Sequence, residues 1–164
     1  MTHGDPNPPA PSGDGDESGR PAPGGRRVFT FASDFAAGRA VQNEILDEVR
    51  RNGYAGNCFF AINLALEEAL TNAIRHGNRL DPNKKVHVEA RVTPRRVEIT
   101  VQDEGPGFDR KNIPDPTAEE NLEKCSGRGI LLIEAYMSSV KWDRGGRRLR
   151  MVKKNEPADG SAKA

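Results

Sequence analysis

Three short stretches carry residue types that could do chemistry together. Glu68 and Asn72 stand four residues apart within CFFAINLALEEALTNAIRHGN, which runs from Cys58 to Asn78. On a helix, that spacing stacks a carboxylate and an amide along one flank. Placed at the border between core and solvent, the pair can face a cleft while the apolar side anchors the helix. Asp103-Glu104-Gly105-Pro106-Gly107 follows a segment of alternating apolar residues. An aspartate at the end of a strand can accept a hydrogen bond from an exocyclic amine. The glycines beside it let a backbone approach a flat ligand with no side chain intervening. Gly127-Arg128-Gly129 precedes an apolar run, and a glycine-flanked helix N-terminus presents free N–H groups suited to phosphate. Each pattern alone also fits an ordinary solvated helix flank, a turn or a helix start. Their order and combination carry the argument.

The elements that must position these residues are legible in the apolar spacing. Ile62, Ala65, Leu66, Ala69, Leu70, Ala73 and Ile74 share one stripe at about 100° per residue, which predicts a helix over 57–76 ending at Gly77-Asn78. Upstream, Val28 and Thr30 alternate with Phe29 and Phe31, a strand over 27–33. Ser33 or Asp34 then caps a helix to about residue 51, with Phe35, Ala36, Ala40, Val41, Ile45, Leu46 and Val49 at helical spacing. Residues 85–93 and 96–102 alternate again and form a hairpin with one buried face. After Asp103 come roughly two dozen residues of Gly, Pro and charge, a length that marks a functional or mobile loop. An apolar helix over 129–137 and a last strand pair, 139–142 and 147–153 joined by Gly145-Gly146, complete the chain. Helices and antiparallel strands cluster instead of alternating strictly. The fold class is therefore α+β, a two-layer sandwich.

Composition narrows the functional classes. The chain has 164 residues, enough for one domain with a real core. Its 25 Lys+Arg and 24 Asp+Glu nearly cancel, so a sequence-independent grip on nucleic acid is not suggested. No apolar run approaches the ~20 residues of a membrane span, and no membrane partner is expected. The N-terminus lacks a basic start followed by an apolar core. Cys58 and Cys125 have neither metal spacing nor company for a disulfide framework, which fits reduced thiols in the cytoplasm. Residues 1–25 are rich in Pro, Gly, Asp and Ser and are expected to be a disordered tail. The folded domain is expected over 26–155, with a flexible C-terminus over 156–164.

With the three stretches in view, Glu68-Ala69-Leu70-Thr71-Asn72 resembles the N box of the GHKL (Bergerat-fold) ATPases. Asp103–Gly107 and Gly127–Gly129 resemble their two glycine boxes, with the ATP lid between. The wording from Glu68 to Asn78, and Gly-Arg-Gly-Ile-Leu-Leu-Ile from Gly127, is similar to the stand-alone bacterial anti-sigma-factor serine kinases. The resemblance spans about 28–153 and implies a histidine-kinase-like ATPase fold, a mixed but mostly antiparallel sheet covered on one face by helices. It implies ATP and Mg2+ as cofactors. Glu68 would be the general base, and Asn72 the metal ligand. Asp103 would receive the adenine amine, with Gly105 and Gly107 shaping the pocket floor. Gly127, Arg128, Gly129 and the adjoining Ile130 would close over the phosphates, with Arg128 also stabilising the transferring group. Arg75 borders the same flank and is open to two readings, a phosphate contact or a solvated arginine. Glu67 points about 100° away from Glu68 and reads as surface, while His76 reads as a packed or hydrogen-bonded residue.

The implied activity is serine phosphorylation of an anti-anti-sigma (STAS-type) partner, with sequestration of a sigma factor and a homodimer as the assembly. The alternative is a nucleotide-dependent protein-binding module with little or no kinase activity. In one respect the chain departs from the family. A threonine often follows a glycine on the last strand and joins the network around adenine, but here Gly146 is followed by Arg147-Arg148. That contact is missing or supplied elsewhere.

Overall fold

Among the described residues, five strands form one antiparallel sheet. The computed structural model describes residues 24–107 and 125–156, without the side chains of 125–128. In chain order the elements are β1 (Arg26–Ala32), α1 (Phe35–Arg51), α2 (Gly56–Thr71), β2 (Lys85–Val92), β3 (Arg96–Gln102), α3 (Cys125–Tyr136), β4 (Ser139–Asp143) and β5 (Arg148–Lys154). Between α2 and β2 the helix continues as a π-helical turn, Asn72–Gly77. In the sheet order β1-β2-β3-β5-β4 all four pairings are antiparallel, in line with the expected mostly antiparallel sheet. The tail, the lid segment over 108–124 and the end of the chain from 157 lie outside the described residues.

Alternation decides which face of the sheet is covered. Val86, Val88, Ala90 and Val92 on β2, with Val97, Ile99 and Val101 on β3, are buried under the helices. Leu149 and Met151 extend that layer onto β5. The opposite face carries Arg26, Glu89, Arg96, Glu98 and Arg150, tied by surface ion pairs. Such exposed pairs contribute little stability.

Asp34 caps α1 by accepting from the N–H groups of Ala36 and Ala37 at 3.2 and 3.3 Å. Ser33 instead donates to the Lys84 carbonyl at 2.8 Å. The inward residues of α1 are Val41, Ile45, Leu46 and Val49, joined by Gly38 and Glu48. The expected stripe was longer at its start. Phe35, Ala36 and Ala40 are exposed, while Gly38 between them is the residue buried there, against Ile74 and Phe31. The buried Glu48 carboxylate is answered by Arg27 at 3.4 Å, whose other nitrogen holds Glu44 at 2.7 Å, binding β1 to α1.

No side chain caps the start of α2 at Ala55, so burial must hold this helix. Ile62, Ala65 and Leu66 are wholly inaccessible, and Ala69, Leu70, Ala73 and Ile74 nearly so. An Ile62→Ala substitution is therefore expected to cost about 2–5 kcal/mol, through lost transfer energy and the cavity left behind. Urea unfolding monitored at Trp142 checks this. A loss below about 1 kcal/mol would show that this helix is not the centre of the core.

Candidate functional site

The helix α2 and its π turn run like a beam under the three chemical stretches. Glu68 and Asn72 sit one turn apart on its flank, both half-buried. Gly129, buried in the first turns of α3, packs directly against them. A methyl group on Gly129 would stand 2.5 Å from Glu68 Oε2 and 3.4 Å from Asn72 Nδ2. The base candidate, the metal-ligand candidate and the second glycine stretch thus meet at one point. The Asn72 Nδ2 atom is buried there with no hydrogen-bond partner. A buried amide in that state forgoes roughly 1–3 kcal/mol unless something else satisfies it. Burial, and then the neighbouring Glu67 carboxylate, push the Glu68 pKa upward. Glu67 itself is exposed, as its position on the wheel implies.

The π turn is where the beam meets the sheet. It ends at Gly77, whose missing side chain leaves room for the Asp103 carboxylate; a Cβ there would collide with it. Gly105 is equally constrained, since a Cβ would run into the Gly77 carbonyl oxygen. Three residues far apart in sequence, Gly77, Asp103 and Gly105, therefore make one close contact that tolerates no side chain at either glycine. Irregular helical turns of this kind are frequent at functional sites. Gly77 lies nine residues beyond Glu68, so the contact with Asp103 and the meeting point at Gly129 are separate places along one helix.

Asp103 is buried, at 8% exposure. Desolvation raises its pKa, while a 2.8 Å bond from the Gly105 N–H and the charges of Arg147 and Lys84 act the other way. Burial is the largest of these influences and leaves the pKa raised on balance, while the partners act toward the ionised form suited to accept from an exocyclic amine. Asp103 opens onto a cavity of about 560 Å³ lined by Gln102, Glu104, Arg144 and Arg147. Arg147, which stands where the family often has threonine, thus borders the aspartate. Its backbone carbonyl accepts the Asp103 N–H at 3.0 Å. Gly107 adopts a φ of +79° and lies against the Gly145 carbonyl, which links the first glycine stretch to the β4–β5 turn.

The remaining expected site residues divide. Ile130 is buried behind Gly129. Gly127 and Arg128 lie inside α3, which begins at Cys125 and so includes residues expected to precede it. The Arg128 side chain is outside the described residues. Arg75 is exposed with its guanidinium 5.4 Å from the centroid of the Phe35 ring, a cation–π contact with the start of α1. His76, expected to be packed or hydrogen-bonded, is exposed on the π turn. Partial desolvation, then Arg75, lower its pKa.

One residue at the site was read only as a helix-stop signal. Asn78 is fully buried. Its side-chain N–H groups donate to Ser33 Oγ at 2.8 Å and the Lys85 carbonyl at 2.9 Å, and its oxygen accepts the Glu104 N–H at 2.8 Å. The sequence signal was an asparagine following glycine at a helix end. That pattern also marks countless exposed caps.

Comparison with known proteins gives the family and the fold. Residues 31–153 match the model of the histidine kinase-like ATPase domain. The chain is 39% identical over 83 residues to an anti-sigma F factor of Oceanobacillus iheyensis, covering 49% of this chain and 56% of that protein. It is 31% identical over 97 residues to the serine-protein kinase RsbW of Bacillus subtilis, covering 56% of this chain and 61% of that protein. The chain therefore spans little more than half the length of the curated relatives it matches. A crystal structure of the RsbU and RsbW domains of a Mycobacterium tuberculosis protein superposes with a TM-score of 0.55 at 19% identity, covering 85% of this chain and 35% of that one. This likeness establishes the shared α+β architecture. With most of the folded part matched, the chain belongs to the histidine kinase-like ATPase domain family.

Proposed function

We propose that this protein is an ATP-dependent serine kinase of the anti-sigma-factor type, acting in the cytoplasm. It would phosphorylate an anti-anti-sigma (STAS-type) partner and hold a sigma factor when that partner is phosphorylated. The observation that carries this reading is the meeting of Glu68, Asn72 and Gly129 on the flank of a helix whose C-terminal end packs on Asp103. The names of the matched relatives, an anti-sigma F factor and a serine-protein kinase, point the same way. Among the described residues no helix is long and apolar enough to cross a membrane.

In this reading Asp103 accepts the adenine amine, and Gly105 and Gly107 keep the pocket floor free of side chains. At the other end, Glu68 takes the proton from a serine hydroxyl as that oxygen attacks the terminal phosphoryl group. Its raised pKa makes it a stronger base than an ordinary glutamate. The N–H groups at the start of α3, and Arg128, would face the phosphates. A hard cation would take the Asn72 side-chain oxygen, which lies with the Glu68 carboxylate against Gly129. Magnesium bound there would take its other ligands from phosphate and water and neutralise phosphate charge. A phosphate placed on the partner serine would break that protein's interface through charge and desolvation.

The direct test incubates the purified chain with γ-labelled ATP, magnesium and an anti-anti-sigma-type protein encoded nearby. Label on a partner serine is expected, and Asn72→Ala is expected to abolish it together with magnesium-dependent ATP binding. Nucleotide binding without transfer to any such partner would favour the binding-module alternative.

A further inference from the structure

The contacts of Asn78 reach further than a helix cap. Its side chain spends both donors and its acceptor on three separate segments: the end of β1 at Ser33, the start of β2 at Lys85, and the Asp103 loop at Glu104. Its backbone N–H donates to the Ala73 carbonyl at 2.8 Å, anchoring the same residue in the π turn. Glu104 is held from its other end as well, since its carboxylate accepts the Lys85 N–H at 2.6 Å. Asp103 is thereby bounded on both sides. Its own N–H is given to Arg147, and the N–H of the next residue is given to Asn78. The helix that carries Glu68 and Asn72 thus holds the Asp103 loop by hydrogen bond through one buried amide, beside the packing of Gly77 on the carboxylate.

We infer that Asn78 is a positioning residue for purine selectivity, locking the Asp103 carboxylate where it meets a 6-amino group and rejects a 6-oxo group. This rests on the nucleotide site proposed above. The triphosphate end is held by other residues, Asn72 and the start of α3, which Asn78 does not touch in the described contacts. Loss of the Asn78 side chain should therefore loosen base recognition and spare the phosphates. A hydrogen bond weakens steeply once its distance or angle drifts, so even a small shift of the loop would register.

The test compares ATP with inosine triphosphate, which keeps the ribose and phosphates and replaces the amine by an oxygen. Titration calorimetry of the full chain with magnesium is expected to give a preference for ATP of about 100-fold. Asn78→Ala is expected to reduce that preference by about tenfold or more, through weaker ATP binding, with inosine triphosphate within about threefold of wild type. Ser33→Ala removes a different Asn78 partner. It is expected to lower the melting temperature and leave the preference intact. Equal losses for both nucleotides in Asn78→Ala, or an unchanged preference, would overturn the assignment. Should Asn78→Ala fail to fold, amide exchange of the wild-type chain decides. The Glu104 N–H is expected to exchange slowly, and more slowly still with ATP but not with inosine triphosphate. Exchange at the rate of an open loop, or equal slowing by both nucleotides, refutes the role. A wild-type chain that binds neither nucleotide instead removes the site itself.

Discussion

Asp103→Ala is expected to weaken ATP binding by about 30- to 150-fold, the equivalent of roughly 2–3 kcal/mol. A charge-assisted hydrogen bond from the adenine amine would be lost, and the amine would enter a buried site with no acceptor. The carboxylate also organises its own loop through the Gly105 N–H, so alanine removes both the acceptor and its local brace. Asp103→Asn is the sharper companion variant. It keeps the size and an oxygen for Gly105, but sets an amide N–H₂ against the amine, and a loss comparable to that of alanine is expected. Equilibrium titration with a fluorescent ATP analogue, competed by unlabelled ATP, measures both. Wild-type affinity in the two variants would show that the purine does not bind at this strand end.

The second large effect falls further back along the helix that meets Asp103. Glu68→Gln is expected to slow phosphoryl transfer by about 10²- to 10⁴-fold while leaving ATP affinity within a few-fold, since general-base catalysis is worth that much. The pH profile follows from the direction of the shift. The base works ionised, and burial together with Glu67 raises its pKa. The rate should therefore climb with pH through a midpoint above the ordinary glutamate value, and that limb should vanish in the glutamine variant.

Stability should move the other way. A carboxylate whose folded pKa is raised disfavours the folded state once pH passes its unfolded value, and the penalty is fully present above the folded pKa. At neutral pH, Glu68→Gln is thus expected to melt no lower than wild type. That is the usual trade of stability for activity at a built site. Single-turnover transfer measured across pH, beside thermal melts, separates these expectations. A glutamine variant with undiminished transfer would remove Glu68 from the chemistry.

How much of this was legible in the chain depends on the kind of interaction. The seven apolar positions placed on the α2 stripe are all buried, from Ile62 to Ile74. Strand alternation also identified the covered face of β2 and β3, because a period of two leaves little freedom once one face is apolar. The Glu68–Asn72 pairing was equally visible, as a contact internal to one helix. The start of α1 misled for a simple reason. Phe35, Ala36 and Ala40 follow the helical period, yet the residue that packs inward there is Gly38, which has no apolar side chain to reveal it.

Contacts between distant segments are another matter. Helical spacing would have run α2 on regularly to His76 and turned that residue inward. The π turn widens the spacing by one residue, exposes His76 and delivers Gly77 to Asp103. Asn78 looked like a stop signal, while its three side-chain bonds reach residues 45, 7 and 26 positions away.

Residue types and periodicity, acting alone, determined the α+β layering, the buried stripe and the identity of the three chemical stretches, because each is set by local spacing against a common core. Only the tertiary structure decided that Gly129 closes on Glu68 and Asn72, that Gly77 and Gly105 share one contact with Asp103, and that Asn78 joins helix to loop. Those facts come from the packing of segments far apart along the chain, which no single stretch encodes.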